Sequence, residues 1–355
     1  MTKACEELTN ATEDRRGARE DRHTAFILRL LLDDEARGAE ALEGPEWGEL
    51  LRTAQRNVVL VRLADRLAEA GASVPAFFAE AAGRERRRSR AVVELTGRTG
   101  RACERHGVEF IFAKAFQHYP DVGGDVDLFV ASRSDEVDAL ILEGMNAAPA
   151  RRDLLSRMAG AASYRVPGCD AVLDIHHGRM GLLGEYGSHV NLLIRNGERV
   201  RVEGAEFLAP SAEDVLVVQG MQRVYRHSYI RLCDIVSTIN LLRRNRLDWN
   251  YVTRVTAQLG TEYGLRCYLS YVEQVHRSVF GRDLLAPELA RELKLGAGGR
   301  IEFREGFYRF SRVKVAGRVY FDKVRAAVRT GNWEAASRLC LMPLATLANA
   351  FKRLG

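Results

Sequence analysis

Asp125 and Asp127 stand one residue apart in the run Asp125-Val126-Asp127-Leu128-Phe129-Val130, and no other feature of this 355-residue chain constrains its fold as tightly. Side chains of a strand alternate between faces. If this β-forming run is extended, both carboxylates share one side, their Cα atoms roughly 6 to 7 Å apart, while Val126 and Leu128 point into a core. Two carboxylates on an otherwise apolar strand repel each other and are costly to desolvate unless a cation lies between them. A hard divalent ion is the natural partner. Magnesium in particular is commonly held by one or two acidic side chains together with the phosphates of a substrate.

Such a pair also occurs on solvated strands, so its neighbours decide the reading. Gly123 and Gly124 come directly before it and allow backbone to approach a ligand closely. Asp174 lies in a second apolar run, Val172-Leu173-Asp174-Ile175-His176, where an inward carboxylate again needs a reason. Lys114 ends the apolar run Val108 to Lys114, where its ammonium can meet a phosphate. Composition sharpens that last point. Of 53 basic residues only Lys3, Lys114, Lys294, Lys314, Lys323 and Lys352 are lysine, so routine surface cations are written as arginine.

Around this centre the pattern changes twice. Residues 1–22 are charged and without apolar periodicity, the signature of a solvated tail, and carry no apolar stretch of the kind that opens a secretory signal. Apolar residues at three- and four-residue spacing predict a helical region over 23–106, with helices from Thr24 to Asp33, Trp47 to Ala70 and Pro75 to His106. Short β-rich runs then fill 107–208, with a helix over Ser134 to Met145 capped by Ser134. A second helical domain is expected over 209–355, opening with Ser211 as cap. The fold class is therefore α+β, a small sheet embedded between helical segments. No stretch reaches the roughly 20 apolar residues of a membrane span, so a cytoplasmic protein without membrane partners is expected. The six scattered cysteines show neither CxxC pairs nor zinc spacing and are expected to be reduced.

The order of these pieces resembles the nucleotidyltransferase superfamily whose core is shared with DNA polymerase beta. More closely, it resembles a bacterial nucleotidyltransferase-like family, through Phe112-Ala113-Lys114-Ala115, Tyr119-Pro120, Asp125-Val126-Asp127-Leu128, Asp174-Ile175-His176, Pro210 to Val218, Arg231 to Asp234 and Leu247-Asp248-Trp249. The resemblance implies a small mixed sheet of polymerase beta type and transfer of a nucleoside monophosphate from an NTP, ATP among the candidates, to an acceptor with release of pyrophosphate. It implies that Asp125, Asp127 and Asp174 hold Mg2+ or Mn2+, that Asp174 helps deprotonate the acceptor, and that Lys114, Ala115, Gly123 and Gly124 hold the nucleotide's phosphates. In two respects the chain departs from that pattern: the loop Asp121-Val122-Gly123-Gly124 lacks the arginine that relatives often carry just ahead of the acidic strand, and the first strand ends differently. Lys114-Ala115-Phe116 stands where the superfamily usually carries Gly-Gly or Gly-Ser. The acceptor is open: a small molecule, a peptide or protein, or an RNA end.

Other residues were weighed against this centre. His176 shares the parity of Asp174, whereas His177 faces the other side, so the two do not share a metal. The run from Arg84 to Arg90 reads first as a solvated helix face. From Lys294 onward there are 13 Lys and Arg against 4 Asp and Glu, with Phe303, Phe307, Tyr308, Phe310, Tyr320 and Phe321 interleaved. That basic end supports the alternative function, a nucleic-acid-binding protein with a degenerate, non-catalytic core that meets RNA through its C-terminal region.

Overall fold

A computed structural model describes residues 22–33, 47–114, 116–131, 135–150, 154–227 and 229–354 of the chain. The expected tail over 1–21, Ala115 of the proposed phosphate contacts and the Ser134 cap lie outside the described residues. The fold is mixed α+β, mostly helical, with small sheets. Its described residues fall into two compact units. One draws on Met1–Arg86, His227–Arg244 and Arg266–Arg312, the other on Arg87–Arg226, Asn245–Leu265 and Val313–Gly355.

In the first unit the helix expected from Trp47 to Ala70 is two helices, Trp47–Arg56 and Leu60–Glu69. Asn57 makes the break. Its buried amide donates to the carbonyls of Thr53 at 3.0 Å and Gly306 at 2.9 Å, and its Oδ1 accepts the Leu232 N–H at 3.0 Å. An asparagine side chain that satisfies distant backbone in this way competes with helix continuation. This unit also holds an antiparallel three-stranded sheet that the apolar pattern did not announce, made of β8 (Tyr229–Ile230), β9 (Ile301–Arg304) and β10 (Phe307–Phe310) in the order β8-β10-β9. Phe303, Tyr308 and Phe310 are buried in it, so these rings of the basic end pack a core rather than offer stacking platforms.

The second unit is built on a five-stranded mixed sheet in the order β1-β2-β5-β4-β3. Its strands are β1 (Phe110–Phe112), β2 (Asp125–Val130), β3 (Ala148–Pro149), β4 (Ala161–Arg165) and β5 (Val172–His177). The two central strands, β2 and β5, run parallel, and the other pairs are antiparallel. Alternation along β2 works as the sequence requires. Val126, Leu128 and Val130 join Leu173, Ile175, Phe112 and Phe207 in one buried cluster, which also takes in Val92, Leu95 and Cys103 of the helix Ala76–Arg105. The opposite face of β2 is left to Asp125, Asp127 and Phe129. A hairpin of β6 (Glu198–Val202) and β7 (Ala205–Ala209) sends Phe207 into the same cluster.

Later helices of this unit close up through one glycine. Gly260 ends the helix Trp249–Leu259 in the left-handed region at φ 66°, and a Cβ there would stand 2.7 Å from Ala326 Cβ and 2.9 Å from Lys323 Cα of the helix Arg312–Arg329. Both the dihedral and the contact reject a side chain. Gly260→Ala is therefore expected to lower the unfolding free energy by about 2 to 4 kcal/mol, read as a lower midpoint in thermal or urea unfolding, from left-handed strain plus overpacking.

Candidate active site

Parallel pairing brings the sequence-predicted carboxylates together. Asp127 and Asp174 are direct partners in the β2/β5 register, and Asp125 lies two residues before Asp127 on the same face. One carboxylate oxygen from each of the three lies within 4.8 Å of the others. Asp125 is exposed, Asp127 is buried and Asp174 is half-buried, so the group forms a gradient from solvent into the sheet.

Charge compensation is concentrated on Asp127. Lys114 Nζ donates to its Oδ2 at 2.7 Å, and His176 Nε2 lies 2.9 Å from its Oδ1. Burial alone would raise the Asp127 pKa. The Lys114 charge and the His176 hydrogen bond outweigh it and hold the carboxyl well below the usual carboxylate range. His176 is held by its neighbour on the sheet. Its ring stacks on Phe129 with centroids 4.3 Å apart, and these two residues face each other across the β2/β5 register. His177, on the other face as strand alternation demands, meets Asp138 Oδ1 at 3.1 Å instead.

Asp174 has the opposite character. Burial raises its pKa first, and the carboxylates of Asp127 and Asp125 add to the rise against a hydrogen bond from Ser163 and the attraction of His176. Ser163 is its register partner on β4. The sequence reading did not single Ser163 out, because only strand pairing makes it a neighbour.

The glycine pair before β2 is positioned from the long helix. Arg88 donates to the carbonyls of Val122, at 3.2 Å, and Gly123. One member of the arginine run 84–90 thus holds the loop that leads into Asp125, which a solvated face does not describe. A Cβ at Gly123 would stand 3.3 Å from Asp125 Oδ1, and nothing lies within 4 Å of one at Gly124. The space over Gly124 is open.

This donor set fits a hard divalent cation. All three groups are anionic oxygens, they converge within one coordination sphere's reach, and the Lys114 ammonium already occupies a position where the carboxylates demand positive charge. Asp125, Asp127 and Asp174 are the residues able to hold it.

A protein-family model described as an uncharacterised nucleotidyltransferase matches residues 43–276, more than half of the chain. The chain belongs to this nucleotidyltransferase family. No curated protein matches. Among solved structures, an antigenic nucleotidyltransferase-like protein from Paracoccidioides brasiliensis is similar at 13% identity over 59% of this chain and 94% of its own, with a TM-score of 0.38. A tRNA-processing enzyme in an apo form is similar at 12% identity over 69% of this chain and 65% of its own, with a TM-score of 0.28. Likeness at that level carries no argument about residues or substrates.

In this family member the raised Asp174 has a consequence for stability. A carboxyl whose folded pKa lies above its ordinary 3.8 favours the folded state while protonated and loses that contribution as pH rises through the folded value. Asp174→Asn removes the cost of the ionised form and keeps a partner for Ser163. Thermal unfolding should therefore show the variant more stable than wild type at pH 7, the gain shrinking to nothing as pH falls below the ordinary carboxylate value.

Proposed function

We propose that this chain is a metal-dependent nucleotidyltransferase of polymerase beta type, moving a nucleoside monophosphate from an NTP to an acceptor hydroxyl. The observation that carries the reading is the convergence of Asp125, Asp127 and Asp174 on one face of two parallel strands. The family membership supports it.

Two divalent ions held by such carboxylates supply charge neutralisation at the triphosphate and at the attacking oxygen. The rest falls to the chain. Asp127 stays ionised throughout the physiological range, so no proton has to leave it before it serves as a ligand. Lys114 is placed to exchange its Asp127 contact for a phosphate oxygen when the nucleotide enters, which turns an internal ion pair into a substrate contact. The open backbone at Gly124 allows close approach of the triphosphate. Asp174, whose carboxyl is pushed up by burial and by its neighbours, takes the acceptor's hydroxyl proton. That oxygen then bonds to the α-phosphorus, the bond from that phosphorus to the bridging oxygen breaks, and pyrophosphate leaves with the electron pair.

Asp125 offers the clean test, because it is exposed, whereas Asp127 holds the buried contacts to Lys114 and His176. The full chain incubated with each of the four NTPs, Mg2+ or Mn2+ and pools of candidate acceptors should release pyrophosphate, and chelation should stop it. Asp125→Asn should lower the rate at least about a hundredfold with an unchanged circular dichroism spectrum, since several kcal/mol of charge stabilisation are lost. Turnover in Asp125→Asn equal to wild type would refute the assignment.

A further inference from the structure

Lys323 is the second lysine that matters. The sequence reading counted it with the basic end, yet it is 4% exposed, and its ammonium pairs with Glu185, itself 2% exposed. The rings of Tyr186 and Tyr225 stand on it with centroids 5.0 and 5.1 Å from Nζ. The loop that presents Glu185 is fastened. Glu185 Oε2 accepts the Leu183 N–H at 2.9 Å, and Arg338 donates to the Leu183 carbonyl at 2.7 Å and to that of Met158 at 2.9 Å. Gly181, at φ 110°, has no room for a side chain, because a Cβ would run into the Glu185 carboxylate. A buried ion pair is a poor way to gain stability, since the desolvation of both charges offsets their attraction. A pair held this carefully calls for another reason.

It forms the floor of a cleft of about 470 Å³, a volume suited to a small ligand. In that floor the Tyr186 hydroxyl and His189 Nε2 are buried without a hydrogen-bond partner, a costly condition that a polar ligand relieves. Burial also pulls the His189 pKa down to about 4, which leaves the imidazole neutral. The exposed rim adds Asn191, Gln258 and Thr330, which both donate and accept, and Arg195, which only donates. Glu185, Tyr186 and Lys323 belong to a second wall as well. They line a narrow slot of about 60 Å³ whose other residues include Lys114, Phe129 and His176, the groups beside Asp127.

We infer that the cleft over Glu185 and Lys323 binds the acceptor of the transfer, and that this acceptor is a small hydroxylated molecule without net positive charge. The inference rests on the proposed nucleotidyl transfer and names its substrate class. The shared wall links the cleft to the carboxylate centre. The charge follows from the lining, where Arg195 and Lys323 stand against the single carboxylate of Glu185. A polyamine-like acceptor would meet a surplus of positive charge, whereas a neutral or anionic polyol meets hydroxyl, amide and cationic partners.

The test uses the full chain with Mg2+, an NTP labelled at the α-phosphate, and a small-molecule cell extract separated by ion exchange into anionic, neutral and cationic pools. Binding of the NTP with Mg2+ is followed in parallel by calorimetry. Wild type is expected to label a component of the anionic or neutral pool. Thr330→Trp, which fills the rim from an exposed position, should cut labelling at least about tenfold with NTP binding unchanged. Arg195→Glu should cut labelling of an anionic component by a similar factor, about tenfold, and leave a neutral one within about twofold. Label appearing in the cationic pool, transfer by Thr330→Trp at the wild-type rate, or no labelled pool despite intact NTP binding would each overturn the acceptor assignment. Absence of NTP binding in the wild type is a different result, which removes the transfer reading itself and the acceptor with it.

Discussion

The structure turns on a like-charge problem. Two carboxylates on adjacent parallel strands, Asp127 and Asp174, are set side by side by the backbone ladder, and the strand register leaves them no way to separate. Electrostatics permits this only where cations or hydrogen-bond donors converge on the same spot. Lys114, His176 and Ser163 are those partners, and each arrives from a different strand or strand end. The compensation is uneven. Asp127 receives the Lys114 ammonium and the His176 hydrogen bond and is held ionised, while Asp174 has the Ser163 hydroxyl and a raised pKa. Under the proposed function, that inequality would separate a permanent ligand from a proton acceptor using one residue type.

Much of the second unit serves to keep the acidic face of the sheet apart from the apolar core and its loop in place. The apolar side of β2 and β5 is sealed by the helix Ala76–Arg105 and by Phe207 of the β6–β7 hairpin, so only the acidic side remains for ligands. From the same helix Arg88 fixes the carbonyls ahead of Asp125, and a guanidinium is well suited to holding two carbonyls with one rigid fork. Arginine here positions, while lysine sits where carboxylates are buried.

A second buried lysine–carboxylate pair, Lys323 with Glu185, repeats the arrangement next door, and the two ammonium groups border one slot. The contrast lies in what surrounds them. Lys114 pairs with Asp127, one of three carboxylates within ligating distance of one another, which under the proposed function is a setting for a cation and phosphates. Lys323 is wrapped by aromatic rings and a pinned loop beneath a roomy cleft, a setting for an organic molecule.

Alternation made Asp125 and Asp127 legible as a pair on one strand face, and Asp174 as a carboxylate in a second apolar strand, because period-two geometry is written in the residues themselves. The opposite facing of His176 and His177 was legible for the same reason, as were the long helix 76–105 and the α+β class. The lysine scarcity pointed at Lys114 and could have pointed at Lys323 as well, but its helical neighbours are basic and masked it. What the sequence could not contain is adjacency across strands and elements. The Asp127–Asp174 register, Ser163 beneath Asp174, Arg88 on the glycine loop, Asn57 breaking a helix to serve Gly306 and Leu232, and Glu185 meeting Lys323 from 138 residues away all depend on pairings made only when the chain closes on itself. Local periodicity chose which face each side chain would take. Tertiary packing alone chose which faces would meet, since such contacts join residues far apart in the chain and leave no periodic trace.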